Sequence, residues 1–483
     1  MEDGQQSLKK LANIAFMAMG ALLILAILCY KERILFADAS YISFHIVNER
    51  NLCVQEQRYG SFITQLFPYL CQKMHLPLRA ILLAYSLSFN AFFLSVNAIL
   101  VYVFRQYRLA ILMALYYFLF ISESFAWPGN EIHQAVAWMF LFFGAIVFLG
   151  SKKVNIMIVL FTFLLLAFLT ISTHFVVVIP LVFLWVYLII EKQNWPFGRN
   201  TTIMFSAALI AIAVAYIAIK HVNSSGAESY DSVHLRGLTH FSIHDVLVSF
   251  TTPVVKKFLY RCLMNYWLGT IICVASIAIL IKQQKKRLAG WTVISILGYI
   301  IVMGLTYGDL DSSTGLFHIE SEWACMGIIV AMGFVFSYLP GIKHRAVACL
   351  LIGIFAVRLV YIVVFLGPFT KRITMTEQIL TCMRAKGITK LAIYNDDRLM
   401  SEYKLYWGLP YESVFLSSMA GEKPQRTFTF VNPGDSRTLE LLKNPKGFYD
   451  AYFDFPCSNL NKEYFVIDST KPYQVMTYAE LLK

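Results

Sequence analysis

The feature that most constrains this chain is a recurrence of apolar runs about twenty residues long, the length an α-helix needs to cross roughly 30 Å of hydrocarbon. The runs occupy approximately 11–30, 78–104, 109–127, 135–150, 154–170, 175–190, 201–220, 267–281, 289–307, 323–339 and 346–366. They predict an all-α polytopic membrane protein with about eleven transmembrane helices. Composition agrees: 58% of the 483 residues are hydrophobic and only 14% are charged, more apolar surface than a water-soluble globule can bury. The first run is long enough to span and lacks a small-residue cleavage site, so it is read as a retained helix rather than a removable signal.

The net charge of +12 raises the question of nucleic acid. A nucleic-acid reader gathers its basic residues on one face, whereas here they punctuate the gaps between apolar runs, so the charge reads as topology and no nucleic-acid partner is expected. One set of gaps carries Lys9 and Lys10, Arg105 and Arg108, Lys152 and Lys153, Lys192 and Arg199, Lys282 to Arg287, and Lys343 and Arg345. In the alternate set, the gaps 128–134 and 308–322 and the turn at His174 hold no Lys or Arg. Because cations near span ends stay on the cytoplasmic side, the N-terminus is expected in the cytoplasm of a multi-pass inner-membrane protein. Trp127, Trp267, Trp291 and Trp323 fall at predicted span ends, where amphipathic rings prefer to sit.

Residues 1–367 therefore read as a membrane domain with two long outward loops, 31–77 and 221–266, whose mixed aromatic and polar segments suit helices lying on the membrane surface. After 367 the pattern changes to a helix-like 376–386, strand-like 390–394, a Ser-Ser break at Ser417 and Ser418, and strand-like 427–431 and 464–467. This predicts a small α/β extracytoplasmic domain over 368–483. The nine cysteines lack metal-ligand spacing, but Cys53 with Cys71, or Cys382 with Cys457, are pairs that an oxidising compartment would permit.

The polar residues able to carry chemistry gather on the outward side. Asp38 follows the first span, where a partly desolvated carboxylate could accept a proton from an attacking hydroxyl; the position equally suits a helix N-cap before Ala39. The turn Trp127-Pro128-Gly129-Asn130-Glu131-Ile132-His133-Gln134 delivers Asn130, Glu131 and His133 to the next span, where they suit substrate hydroxyls or a divalent cation; Pro-Gly also simply makes the turn. His174 sits at a turn between two spans, suited to a phosphate or hydroxyl or merely solvated. The last outward loop holds Asp309, Asp311, His318, Glu320 and Glu322, suited to substrate hydroxyls or a metal and equally to excluding cations for orientation. Arg358, mid-span, must face the bundle, and pairs with a carboxylate such as Glu123 or contacts a lipid phosphate. Arg33 and Arg58, near the headgroup level, are candidates for a diphosphate leaving group. His234, His240 and His244 include an i, i+4 pair but no accompanying metalloprotease pattern, and read as surface loop.

Asp38 soon after span one, the acidic turn Asn130-Glu131 opening span four, the stretch from Tyr59-Gly60-Ser61 to Leu76-Pro77-Leu78, and a C-terminal domain outside together resemble the GT-C superfamily of lipid-linked-sugar glycosyltransferases. The resemblance implies a polyprenyl-phosphate-linked sugar as donor, a glycan or lipid as acceptor, Asp38 as catalytic base and Arg58 or a neighbouring cation on the departing phosphate; with Arg58, the residues Asn130, Glu131, His133, His174, His318, Glu320 and Arg358 are the candidate substrate-binding set. Many members carry two adjacent acidic residues in the first loop; here Asp38 is followed by Ala39, which favours a metal-independent base while leaving a divalent cation as a candidate cofactor. The run Glu131 to Ala137, with Lys152-Lys153 and His174 before Pro180, is also similar to O-antigen and exopolysaccharide polymerases, with His133-Gln134 where those often show Arg-Gln. A transporter or flippase of envelope precursors would instead want several ionisable residues deep in its spans, and a non-catalytic assembly protein would use the C-terminal domain for binding.

Overall fold

The computed structural model is mostly helical and describes residues 2–152, 154–192, 195–223, 237–238, 241–308, 315–339, 344–450 and 454–483. The N-terminal α1 (Glu2–Leu28) leads into α2 (Tyr30–Ile34), α3 (Ala37–Glu49) and α4 (Phe62–Lys73). Then come α5 (Leu78–Ala98), α6 (Tyr107–Leu119), α7 (Ile132–Ser151), α8 (Ile156–Thr173), α9 (Val178–Glu191) and α10 (Arg199–Asn223). Next are α11 (Ile243–Ser249), α12 (Pro253–Met264), α13 (Trp267–Lys282), α14 (Lys286–Thr306), α15 (Leu316–Trp323), α16 (Met326–Gly333) and α17 (His344–Phe365).

Among the described residues seven helices are long and apolar enough to cross a membrane, or up to nine if two bent pairs each form one span. The pairs are Ile243–Met264 with Trp267–Lys282, bent by 89°, and Leu316–Trp323 with Met326–Tyr338, bent by 50°. Apolar side chains such as Ile210 and Val214 on α10 point away from the protein, which a lipid bilayer accommodates and water does not.

The predicted run 109–127 is not one helix, because α6 stops at Leu119 and the chain turns through 120–131 before α7. Backbone that leaves a helix inside an apolar bundle must find partners in the protein. Arg358 on α17 supplies donors: Nε reaches the Phe118 carbonyl at 2.8 Å, while Nη2 reaches the Ile121 carbonyl at 2.8 Å and Ser122 Oγ at 2.9 Å. Its Nη1 bonds the Asn265 carbonyl at 2.7 Å. Glu320 on α15 supplies the acceptor, its Oε2 taking the amides of Ser122 and Ser124, both at 2.8 Å. Its Oε1 takes the Tyr266 hydroxyl at 2.5 Å. Arg358 is thus engaged with carbonyls and not with Glu123, whose carboxylate instead takes Lys404 Nζ at 2.6 Å and the Phe317 amide at 3.1 Å. Trp323 offers no ring to the lipid headgroups: it is fully buried, stacked on Phe258 with centroids 4.0 Å apart.

The last apolar helix does not end at the membrane. α17 and α18 (Gly367–Ala385) run as one helical stretch of 41 residues, Arg345–Ala385, into the C-terminal portion. There β1 (Lys390–Tyr394), α19 (Asp397–Tyr403), α20 (Leu409–Met419), β2 (Thr427–Val431), α21 (Ser436–Leu441), β3 (Gly447–Tyr449), β4 (Asp454–Pro456), β5 (Gln474–Met476) and α22 (Tyr478–Leu482) follow. β1 is central in a parallel sheet of order β2-β1-β5, with Lys390 opposite Thr427 and Leu391 opposite Gln474, and β3 pairs antiparallel with β4. The strands expected at 390–394 and 427–431 are present. The one expected at 464–467 is reduced to an isolated parallel bridge between Ile467 and Gln425: the Gln425 amide donates to the Val466 carbonyl at 2.8 Å, while its side chain donates through Nε2 to the Tyr464 carbonyl at 3.2 Å and accepts the Val466 amide on Oε1 at 2.5 Å. Ser417 and Ser418 lie in the last turn of α20 rather than in a break. All nine cysteines are free, so neither disulfide forms; the Cys53 backbone is instead held by Gln65 at 2.8 and 2.9 Å.

The C-terminal portion grips α3. Phe44 stacks on Phe465 with centroids 5.0 Å apart, and Asn461 Nδ2 bonds the Val47 carbonyl at 2.8 Å. The deepest tie is a buried ion pair: Arg372 on α18 donates to both carboxylate oxygens of Glu412 on α20, at 3.0 and 2.8 Å. The same carboxylate accepts the amide of Ala37 at 3.2 Å, and Ala37 has a left-handed φ of 42°. Losing one partner of a buried pair strands the other charge, at a cost of about 3–5 kcal/mol. Glu412→Ala is therefore expected to speed proteolytic release of the C-terminal portion strongly, whereas the double replacement Arg372→Met with Glu412→Leu restores much of the protection. Unchanged protease resistance in Glu412→Ala would show that this pair is not the clamp.

Candidate functional site

Where α1 gives way to α2, Arg33 turns inward and spends its guanidinium on the bundle: Ser86 Oγ at 3.0 Å, Asn90 Oδ1 at 2.8 Å and the Phe125 carbonyl at 2.6 Å. That removes Arg33 as a leaving-group cation and fixes the start of α3. Asp38 falls in the first turn of α3, where the helix dipole favours a carboxylate. It is not the N-cap that its neighbourhood in sequence also suited. Phe36 holds the cap position, and Asp38 Oδ2 accepts the indole N–H of Trp127 at 2.7 Å. Gly129 makes this approach possible, since a Cβ there would sit 3.2 Å from both the Ala39 amide nitrogen and Asp38 Cβ.

The turn before α7 brings Glu131 to the same place. Arg58 Nη1 reaches Glu131 Oε2 at 2.5 Å, with 13% and 7% of the two side chains exposed, enough shielding from water to keep the pair strong. Arg58 is delivered by a compact loop. Gly60 packs so tightly that a Cβ there would lie 1.9 Å from Thr173 Oγ1, and its carbonyl accepts Trp138 Nε1 at 3.1 Å. Thr64 ties the loop to α7 by donating to Gln134 Oε1 at 3.0 Å.

Asp38, Glu131 and Arg58 therefore act on one another. Burial, and secondarily the negative charge of Glu131, push the Asp38 carboxyl up to about 6, opposed by the Trp127 hydrogen bond and by Arg58. A half-buried carboxylate in that range is poised to exchange a proton near neutral pH. His318 joins the group by stacking on Trp127 with centroids 5.6 Å apart, and Tyr41, one turn beyond Asp38, faces Trp407 at 6.0 Å.

The other sequence candidates serve the scaffold. Asn130 Oδ1 accepts the Ile132 amide at 2.9 Å and so starts α7. His133 points into the bundle, its Nδ1 2.8 Å from the Tyr116 hydroxyl, beside a cavity of about 20 Å³ that has room for a water but not a sugar. His174 accepts the Val176 amide at 3.3 Å across its turn. Glu320 and Arg358 hold the chain break described above. Asp309, Asp311, His234 and His240 lie outside the described residues, and His244 is exposed on α11. Among the described residues no group of three or more His, Cys, Asp or Glu side chains is placed to hold a metal ion. Trp127 and Glu412 are the parts of the site that sequence reasoning missed. The indole had been read as a boundary ring, and nothing near Glu412 in sequence points to a residue 375 positions earlier.

Compared with protein-family models, curated proteins and solved structures, the chain matches none.

Two outcomes follow from this geometry. The fold raises the Asp38 pKa from 3.8 to about 6, so it favours the protonated acid; that stability is complete below pH 3.8 and is lost as pH rises through 6. Asp38→Asn, which keeps an acceptor for Trp127, is expected to raise the unfolding midpoint at pH 7 but not at pH 4, by the equivalent of about 1–2 kcal/mol after allowance for solvent screening. Gly60→Val is expected to push the loop off α8 and separate Arg58 from Glu131, read as faster amide exchange across 55–61.

Proposed function

We propose that this protein is a membrane glycosyltransferase that moves a sugar from a polyprenyl-phosphate-linked donor to a glycan or lipid acceptor on the extracytoplasmic face. The observation that carries the reading is Asp38, a half-buried carboxylate just beyond the first membrane helix that accepts the Trp127 indole at 2.7 Å beside the Glu131–Arg58 pair, where burial and then the charge of Glu131 push it up to about 6. In this reading the acceptor hydroxyl gives its proton to Asp38 as its oxygen bonds the sugar C1. The bond from C1 to the phosphate oxygen breaks, and its electron pair leaves with the lipid phosphate. Arg58, the cation whose charge acts on Asp38, faces the departing phosphate, where a fixed donor in a poorly solvated site contributes most.

The reading includes eleven crossings, with the bent pairs and the shorter helices Tyr107–Leu119 and Phe175–Glu191 each counted as one, a cytoplasmic N-terminus, and residues 368–483 as an extracytoplasmic domain covering the site. The one-sided distribution of Lys and Arg supports that orientation. The transporter alternative draws little support from Arg358, which is committed to backbone carbonyls.

Purified protein in nanodiscs, given labelled polyprenyl-phosphate sugars, is expected to consume the donor at a rate that climbs between about pH 5 and pH 7, as Asp38 ionises. Asp38→Asn should lower that rate by about 100-fold or more, as loss of a general base does. Full transfer by Asp38→Asn would overturn the assignment of the base, and an intact donor with the unaltered protein would overturn the enzyme.

A further inference from the structure

The pair α11 and α12 stands at 89° to α13. With α13 crossing a bilayer, this puts α12 in the plane of its surface. The corner is rigid. Arg358 holds the Asn265 carbonyl, Glu320 takes the Tyr266 hydroxyl, and Arg261 Nη1 donates to Asn265 Oδ1 at 2.9 Å. Thr252 and Pro253 start α12 cleanly, proline at the first turn costing no hydrogen bond. One face, Val254, Val255 and Phe258, is buried against the bundle, where Phe258 stacks on Trp323. The opposite face exposes Leu259, Tyr260, Leu263 and Met264, at 46%, 58%, 69% and 56% of their surfaces, too much apolar area for a water-facing helix.

Charge says what covers that face. Lys256, Lys257 and Arg261 lie within six residues on α12, and no Asp or Glu occurs anywhere from 246 to 308. Lys256 is exposed among the apolar residues, and Lys257 and Arg261 are half-buried along the edge. At the same end of the bundle, the gaps 128–134 and 308–322 have no Lys or Arg, so these three cations run against the local trend. A helix in the plane with an exposed apolar face, one lysine within that face whose long stem lets its charge reach the headgroups, and two cations along its edge matches lipids with negatively charged headgroups.

We propose that α12 is a docking shelf for the headgroups of anionic phospholipids, with Lys256, Lys257 and Arg261 on the phosphates and the Leu259 to Met264 face among the acyl chains. This goes beyond the glycosyltransferase reading and needs no catalysis to be tested. Full-length protein in phosphatidylcholine nanodiscs carries a trace of photoreactive phosphatidylglycerol or photoreactive phosphatidylcholine, and cross-linked peptides are mapped. The glycerol lipid is expected to label 253–264 at least ~5-fold more than the choline lipid, given the attraction of each cation for an anionic surface. Replacing Lys256, Lys257 and Arg261 by Gln should bring the two to parity. The single variant Lys256→Gln, at an exposed position that leaves the packing intact, should lower the ratio part of the way. Equal labelling of the unaltered protein, or an undiminished ratio in both variants, would overturn the proposal.

Discussion

Polypeptide that leaves a helix inside an apolar bundle has no water to turn to, and most of this architecture follows from how one such break is satisfied. Arg358 donates to the carbonyls, and Glu320 accepts the amides, at and just beyond the end of α6, and the same two side chains fasten Asn265 and Tyr266. A charged residue in a membrane helix invites a functional reading, yet here both charges act as substitutes for missing backbone partners. What the break makes possible is the turn that follows it. Without it, α6 would continue straight and neither Trp127 nor Glu131 would reach Asp38.

Asp38 is held from two directions. From below, the Trp127 indole fixes one carboxylate oxygen, and Gly129 lets the turn come close enough to do so. From above, Glu412 holds the amide of Ala37 and is itself neutralised by Arg372. The carboxylate is therefore positioned by groups from the membrane helices and from the C-terminal portion together. Such double support keeps the side chain in place with little reorganisation.

Hydropathy placed a helix in every apolar run, because the need to satisfy backbone in lipid leaves few alternatives. It misjudged 109–127, since a run of apolar residues carries no sign that an arginine more than two hundred residues later will stabilise a break. β1 and β2 were readable from their β-branched and aromatic residues, while 464–467 has the same look but pairs through a single bridge to Gln425, whose side chain takes the neighbouring backbone groups. Asp38 was readable as a carboxylate just past the first span; its partner was not. An N-cap would bond an amide a few residues on, whereas the donor it meets is Trp127, 89 positions away. His133 and His174 drew attention as polar residues in apolar surroundings; Nδ1 of each is hydrogen-bonded within the scaffold, while Nε2 of His133 is buried without a hydrogen-bond partner among the described residues.

The 41-residue stretch Arg345–Ala385 carries both Arg358 and Arg372, fourteen residues apart. That is close to four turns, about 21 Å along the axis, so the two side chains project from nearly the same side. The helix works as a ruler. Its lower mark is set by the chain break in the membrane and its upper mark by the glutamate over Ala37. Inserting one residue between the marks would turn one arginine by about 100° relative to the other and unseat it. The spacing between the chain break and the clamp on the C-terminal portion is thus written into the register of one helix.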